Sequence, residues 1–363
     1  MSRQENGSNV AKTLKSLIVL LIGIGLAYWF ARGIDWATVG GFWKQANAWL
    51  LLLGALLINL TMLVRALRWV TLLQPITRAN LWDALSATVI GFGCIFVVGR
   101  AGDVVRPLLL SLRTRIKASA TIATILIERI YDMTAVGALF AVNLLFIELP
   151  GSKAIELQKM RSLGLLMLVG LGVGLGLLIV LRLRAQWLIG LFEKVFSWLP
   201  KRLLDFAVGL LTHLAAGLSV LLNARELLKT VAQTALVWGL IAGAYWVVAR
   251  AFSLHLSLSQ TIFVLGAGLV GSLIPTPGGS AGAFHAATQK GLVFLDVEPN
   301  LAAAAAIAIH IVSFGSPFIF ALFYLVRTDI RLGQLRAMVF GEESVDKIQV
   351  EQIAGNPTTG VER

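Results

Sequence analysis

Eight ionisable side chains stand inside stretches that are otherwise apolar, and five of the eight are arginines. Arg65 and Arg68 sit in NLTMLVRALRWVTLL, and Arg100, Asp103 and Arg106 in VVGRAGDVVRPLLL. Glu128, Arg129 and Asp132 sit in ATILIERIYDMTAVGALF. A charge at membrane depth costs about 2.5–3.5 kcal/mol or more, so such residues face one another or a wet cavity. Two chemistries fit: an ion network that ties helices together, or a site for a charged ligand. Five arginines against three acids leave an excess of two positive charges, and an unpaired buried charge is expensive. A phosphate-bearing ligand would complete that set by forked hydrogen bonds to guanidinium groups.

The spacings refine each group. Glu128 and Asp132 are four apart and share a helix face, whereas Arg129 points about 100° around the helix. Arg65 and Arg68 share another face, with Arg65 the deeper and Arg68 the better placed to reach the headgroups. In GRAGDVVRP, Gly99 and Gly102 free the backbone, and Asp103 is positioned to cap the helix that follows. Pro107 reads as lying past the favoured first turn of that helix, as a kink.

A second break, IPTPGGSAGAFHAAT, carries no acid or base except His285. Pro275 and Pro277 stop the preceding helix, and Gly278 and Gly279 free the turn. The next helix is expected to begin near Ser280 and to offer its N-terminal N–H groups to an anion. His285 follows as a ligand or proton carrier, a role that Glu128 and Asp132 could share. His213 and His310 read as packing or helix–helix hydrogen-bonding residues in apolar helices, and His255 as a loop residue. GxxxxGK[ST] is absent, no histidines and acids have zinc spacing, and no catalytic motif is present, so neither cofactor nor metal is expected. The lone Cys94 excludes an intrachain disulfide and reads as a small apolar residue.

The elements that must hold these residues are membrane helices. The 363 residues are 57% hydrophobic and only 14% charged, against about 25% charge in a soluble domain. Several runs exceed the roughly 18 apolar residues of a membrane span, and none alternates as barrel strands do. The expected fold is all-α, a polytopic bundle of about eight spans near 16–31, 47–72, 118–147, 163–181, 203–222, 229–252, 258–274 and 299–326. Two broken segments, 83–98 with 101–112 and 281–295, are too short to cross and read as re-entrant. The order of spans and breaks before residue 147 recurs after residue 203, an internal repeat that either inverted or parallel halves would satisfy. Residues 1–340 form a single membrane domain, and 341–363 a polar, disordered tail. The glycines of LGLLMLVGLGVGLGLL allow close helix approach, and QWLIGLFEKVFSWLPKR reads as an amphipathic interfacial helix.

The net charge of +12 belongs to loops and termini rather than to a nucleic-acid site, because no basic stripe with interleaved aromatics occurs outside the spans. Lysine and arginine collect in the N-terminal tail, in 106–117, in 182–202 and in 327–336. That pattern places both termini in the cytoplasm and the chain in the cell (inner) membrane.

RALRW, GRAGDVVRP, ERIYD and IPTPGGSAG, in this order, resemble the flippase-like membrane region of lysyl-phosphatidylglycerol synthases, over roughly residues 15–330. The resemblance implies a bundle with re-entrant segments that moves lipid between leaflets. Arg65, Arg68, Arg100, Asp103, Arg106, Glu128, Arg129, Asp132 and the Pro275–Gly279 break match family positions. A glutamate that many members carry shortly after PGG is absent; Ala283, Phe284 and His285 stand there. No segment matches the soluble aminoacyl-transferase domain of the synthases, so lipid aminoacylation is not expected. The leading expectation is a translocase for an anionic or phosphate-linked lipid, with lipid-biosynthesis enzymes as protein partners. The alternatives are a membrane enzyme or accessory subunit of glycolipid or polyprenyl-phosphate metabolism, with Asp103, Glu128 and Asp132 on a metal, and a membrane scaffold.

Overall fold

The computed structural model describes residues 21–74, 78–98, 103–114, 118–148, 153–198, 224–274 and 276–327, with residues 200, 201, 204 and 208. Among them every regular element is helical. Four helices are long and apolar enough to cross a membrane: Ala48–Leu73, Ala154–Leu177, Arg225–Ala251 and Pro299–Val326. The expected spans 47–72, 118–147, 229–252 and 299–326 are therefore helices close to the bounds read from sequence. The expected span 203–222, apart from residues 204 and 208, and the tail 341–363 lie outside the described residues, as does most of the basic N-terminus.

In chain order the helices are α1 (Leu21–Ala31), α2 (Trp36–Gln45), α3 (Ala48–Leu73), α4 (Leu81–Val98) and α5 (Val105–Thr114). α6 (Ala118–Phe146), α7 (Ala154–Leu183), α8 (Ala185–Val195) and α9 (Ala224–Ala251) follow. Then come α10 (Leu258–Gly271), a single turn Pro277–Ser280, α11 (Ala283–Phe294) and α12 (Pro299–His310). A π-turn over Ile311–Gly315 joins α12 to α13 (Ser316–Arg327). The sequence long helix, broken pair, long helix thus occurs twice, as α3, α4–α5, α6 and as α9, α10–α11, α12–α13.

The chain divides into two compact units that do not follow that repeat. The first comprises residues 1–63, 85–109 and 239–363, and the second residues 64–84 and 110–238.

In the first unit α10, α11 and α12 pack successively, because their facing residues are small. A Cβ on Gly271 would stand 2.6 Å from the Ala283 carbonyl oxygen. The alanine run Ala302–Ala306 is wholly buried, so backbones approach where larger side chains would hold them apart. Phe30, Ile58, Tyr245, Phe252, Phe284 and Ile309 fill the remaining core. The caps are interlocked. Asp35 accepts from the N–H groups of Ala37 and Thr38 at 3.0 and 3.3 Å and opens α2. Glu298 accepts from those of Asn300 and Leu301 at 2.9 and 2.7 Å and opens α12. The Asn300 amide oxygen accepts from the Asp35 N–H at 3.1 Å, joining the two starts.

In the second unit α6 packs along α7. A Cβ on Gly164 would lie 2.7 Å from the Ala141 carbonyl, so this glycine sets the approach of the two helices. Among the described residues close approach is seen at Gly164, and nothing lies within 4 Å of a Cβ built on Gly170, Gly172, Gly174 or Gly176. α8 bears an exposed apolar row, Trp187, Leu191 and Val195, spaced one turn apart.

Candidate functional site

The second unit gathers five of the eight intramembrane charges. Arg65 and Arg68 come from α3, and Glu128, Arg129 and Asp132 from α6. Arg68 is at the centre. Its Nη1 lies 2.8 Å from Asp132 Oδ1 and its Nη2 3.0 Å from Glu128 Oε1. Nη1 also donates to the Thr234 hydroxyl on α9 at 2.8 Å. Asp132 Oδ2 in turn accepts from Arg65 Nη1 at 3.2 Å. Arg129 Nη1 stands 3.9 Å from the same oxygen, but its side chain keeps 31% exposure where Arg68 and Glu128 have none. The face-sharing of Glu128 with Asp132, and of Arg65 with Arg68, brings all four to one buried point while Arg129 is turned outward. A buried hydrogen bond from Trp69 Nε1 to Thr124 Oγ1, 2.9 Å long, ties α3 to α6 one turn further on.

Among the described residues three arginines and two carboxylates meet here. Both oxygens of Asp132 are held by guanidinium groups, which leaves that carboxylate poorly suited to ligate a metal or carry a proton. Among the described residues no three His, Cys, Asp or Glu side chains gather to hold a metal ion.

The first unit holds the second break. Gly278, Gly279, Ser280 and Gly282 all have φ between 61° and 73°, a left-handed run that no right-handed helix can continue. The next helix therefore starts at Ala283, not near Ser280 as the proline–glycine pattern predicts, and Pro277–Ser280 is one isolated turn. Two of these glycines are needed sterically as well. A Cβ on Gly279 would lie 2.8 Å from the Phe314 ring, and one on Gly282 would lie 2.6 Å from the Ala27 backbone nitrogen of α1.

His285 and His310 meet at this turn, with ring centroids 4.4 Å apart. His310 Nε2 stands 3.2 Å from the Gly279 carbonyl oxygen, and His285 Nδ1 accepts from the Gly282 N–H at 3.4 Å. The sequence reading of His310 as a packing or helix–helix hydrogen-bonding residue named no partner for it. The glycine it contacts is 31 residues earlier, and nothing in an apolar helix marks such a partner. Thr234 was missed for the same reason, since a threonine in a span draws no attention.

Asp103 occupies a tight turn just before α5, and Arg106 is buried in the first turn of that helix. Gly91 of α4 lies against Arg106, where a Cβ on Gly91 would stand 2.8 Å from the arginine's own Cβ. Pro107 is the third residue of α5 rather than a kink: the first four N–H groups of a helix have no partner within it, so proline forfeits nothing there. Gly99, Arg100 and Pro275 lie outside the described residues, and of Pro277 only the backbone is described.

A bundle of apolar helices, interrupted by short broken segments and holding a buried arginine–carboxylate network, defines a multi-pass membrane protein. Residues 16–321 match the lysylphosphatidylglycerol synthase TM region, and the chain belongs to that family. No curated protein matches it.

Proposed function

We propose that the chain moves a lipid with an anionic, phosphate-bearing headgroup between leaflets of the cell membrane, with both termini in the cytoplasm. Membership of a family named for lipid synthases ties it to lipid handling. The observation that supports the finer reading is the buried group in which Arg65 and Arg68 hold Glu128 and Asp132 while the Arg129 side chain keeps 31% exposure beside them. Arg68 and Arg65 are consumed in holding the acids. Arg129 is the member with room to approach a ligand, and its guanidinium supplies the fork that phosphate oxygens fit. Arg100, Asp103 and Arg106 are proposed as further headgroup-binding residues, and the Gly278–Gly279 turn with His285 as a hinge within the first unit.

The test is transbilayer movement of fluorescent phospholipids in proteoliposomes. Arg129→Ala should slow an anionic lipid about 10-fold to 100-fold, the loss of one or two charge-assisted hydrogen bonds, with little change for a zwitterionic one. Unchanged rates in that variant would remove Arg129 from the site. A new, metal-dependent lipid product would instead identify a membrane enzyme.

A further inference from the structure

The hydrogen bonds at the glycine break fix which imidazole nitrogens carry protons. A carbonyl oxygen only accepts, so the contact of His310 Nε2 with the Gly279 oxygen at 3.2 Å places a hydrogen on Nε2. A backbone N–H only donates, so His285 Nδ1, which receives the Gly282 N–H at 3.4 Å, is bare. His285 is therefore neutral in this conformation, with its proton on Nε2. That Nε2 is buried and, among the described residues, has no hydrogen-bond partner.

Among the described residues no carboxylate acts on His285. His285 packs against Phe30 and Phe284, at centroid distances of 5.1 and 6.4 Å, and against His310. The titratable group that acts on it is His310. α10 carries no ionisable side chain. On α11, Lys290 is stacked over Trp29 at 4.9 Å, away from the pair. On α1, Tyr28 is exposed, and beyond it so is Arg32. Glu298, at the far end of α12, is occupied by its own cap. On α4, whose Phe96 lies 6.4 Å from His310, the ionisable residues are Asp83 and Cys94; the π-turn after His310 has none.

We propose that His285 is a proton-binding site whose occupancy opens the glycine break. A proton taken from water onto Nδ1 makes both ring nitrogens donors. Nδ1–H then faces the Gly282 N–H, and the bond that starts α11 is lost. Gly282 is the residue on which α1 rests, and Gly279 is held by His310 and Phe314. Release at Nδ1 therefore frees a turn whose left-handed residues persist only because their neighbours hold them. The π-turn directly after His310 gives that helix a local irregularity of the kind that accompanies functional sites. The proton, as coupling ion, deepens the lipid-transport reading and rests on it for that role; proton binding itself is measured without lipid movement.

The discriminating variant is His285→Gln in the full chain, reconstituted in nanodiscs. Glutamine at the third helical position keeps an acceptor for the Gly282 N–H, as in a capping box, and cannot take the proton. Backbone hydrogen exchange over residues 276–294 is measured from pH 8 to pH 4 and corrected for the intrinsic chemical rate. Wild type should lose protection on acidification, up to about tenfold per pH unit once the site titrates. H285Q should match wild type at pH 8, which shows that it folds, and stay level on acidification. A flat wild-type profile, or an equal loss in H285Q, would overturn the proposal. In proteoliposomes, an imposed proton gradient should change lipid movement by wild type and not by H285Q. If exchange behaves as expected while no lipid moves, the proton site is supported and the transport reading fails.

Discussion

Arg68 is the residue on which the second unit's charge network turns, since its guanidinium contacts Glu128, Asp132 and Thr234 together. Removing one partner of a buried ion pair typically costs about 3–5 kcal/mol, because the other charges stay behind unmatched. Arg68→Ala should therefore lower the unfolding free energy by that amount, read from denaturant unfolding in a fixed detergent. Arg129→Ala should cost less than about 1 kcal/mol by the same measurement, because its side chain keeps 31% exposure and its ion pair is 3.9 Å long. Its effect belongs in transport. The two variants thus separate holding the network together from meeting a ligand. At the glycine break, Gly279→Ala combines φ +64° with a Cβ 2.8 Å from Phe314. It should destabilise the turn and raise hydrogen exchange at His310 and Phe314.

Helix contacts and caps make the predictions at the scale of the element. Gly164→Ala would drive a Cβ into the Ala141 carbonyl and part α6 from α7, whereas Gly172→Ala meets open space. The second should stabilise α7 by up to about 1 kcal/mol through helix propensity, and the first should destabilise the pair. The caps give a pH signature outside the spans. Hydrogen bonds from the Thr38 side chain and then its backbone hold the Asp35 carboxyl below its ordinary value. At Glu298 desolvation pulls upward, but the Asn300 and Leu301 N–H groups prevail and the value falls. Groups held low in this way stabilise the fold above their unfolded pKa and lose that contribution as pH falls through the folded one. Exchange at the first turns of α2 and α12 should thus rise below about pH 4, and the rise should shrink in Asp35→Asn. The long apolar runs of α3, α6, α9 and α12 were legible because hydropathy over twenty residues leaves little choice of structure. The true start of α11 was not. The left-handed run that delays it is sustained by Phe314 and α1, which contact it only in the folded chain.

For the whole molecule, the family and the helical membrane class followed from residue type and spacing, whereas the meeting of α3 with α6 through their charges did not. The sequence could not reveal that the glycine break carries a second histidine or that α9 supplies Thr234, because those meetings join segments far apart in the chain. Nor did the repeated order of helices predict the two compact units, each of which draws on both repeats. The repeat describes how the chain is written, and the units describe how it packs. The central claim is that this bundle carries an anionic headgroup across the bilayer with Arg129 as a ligand. The direct measurement is the rate at which a fluorescent anionic phospholipid changes leaflets in proteoliposomes holding wild type, Arg129→Ala or no protein. The account predicts fast exchange with wild type, a loss of about 10-fold or more in the variant, and a weaker wild-type effect on a zwitterionic lipid. Exchange with wild type no faster than in protein-free vesicles would contradict it.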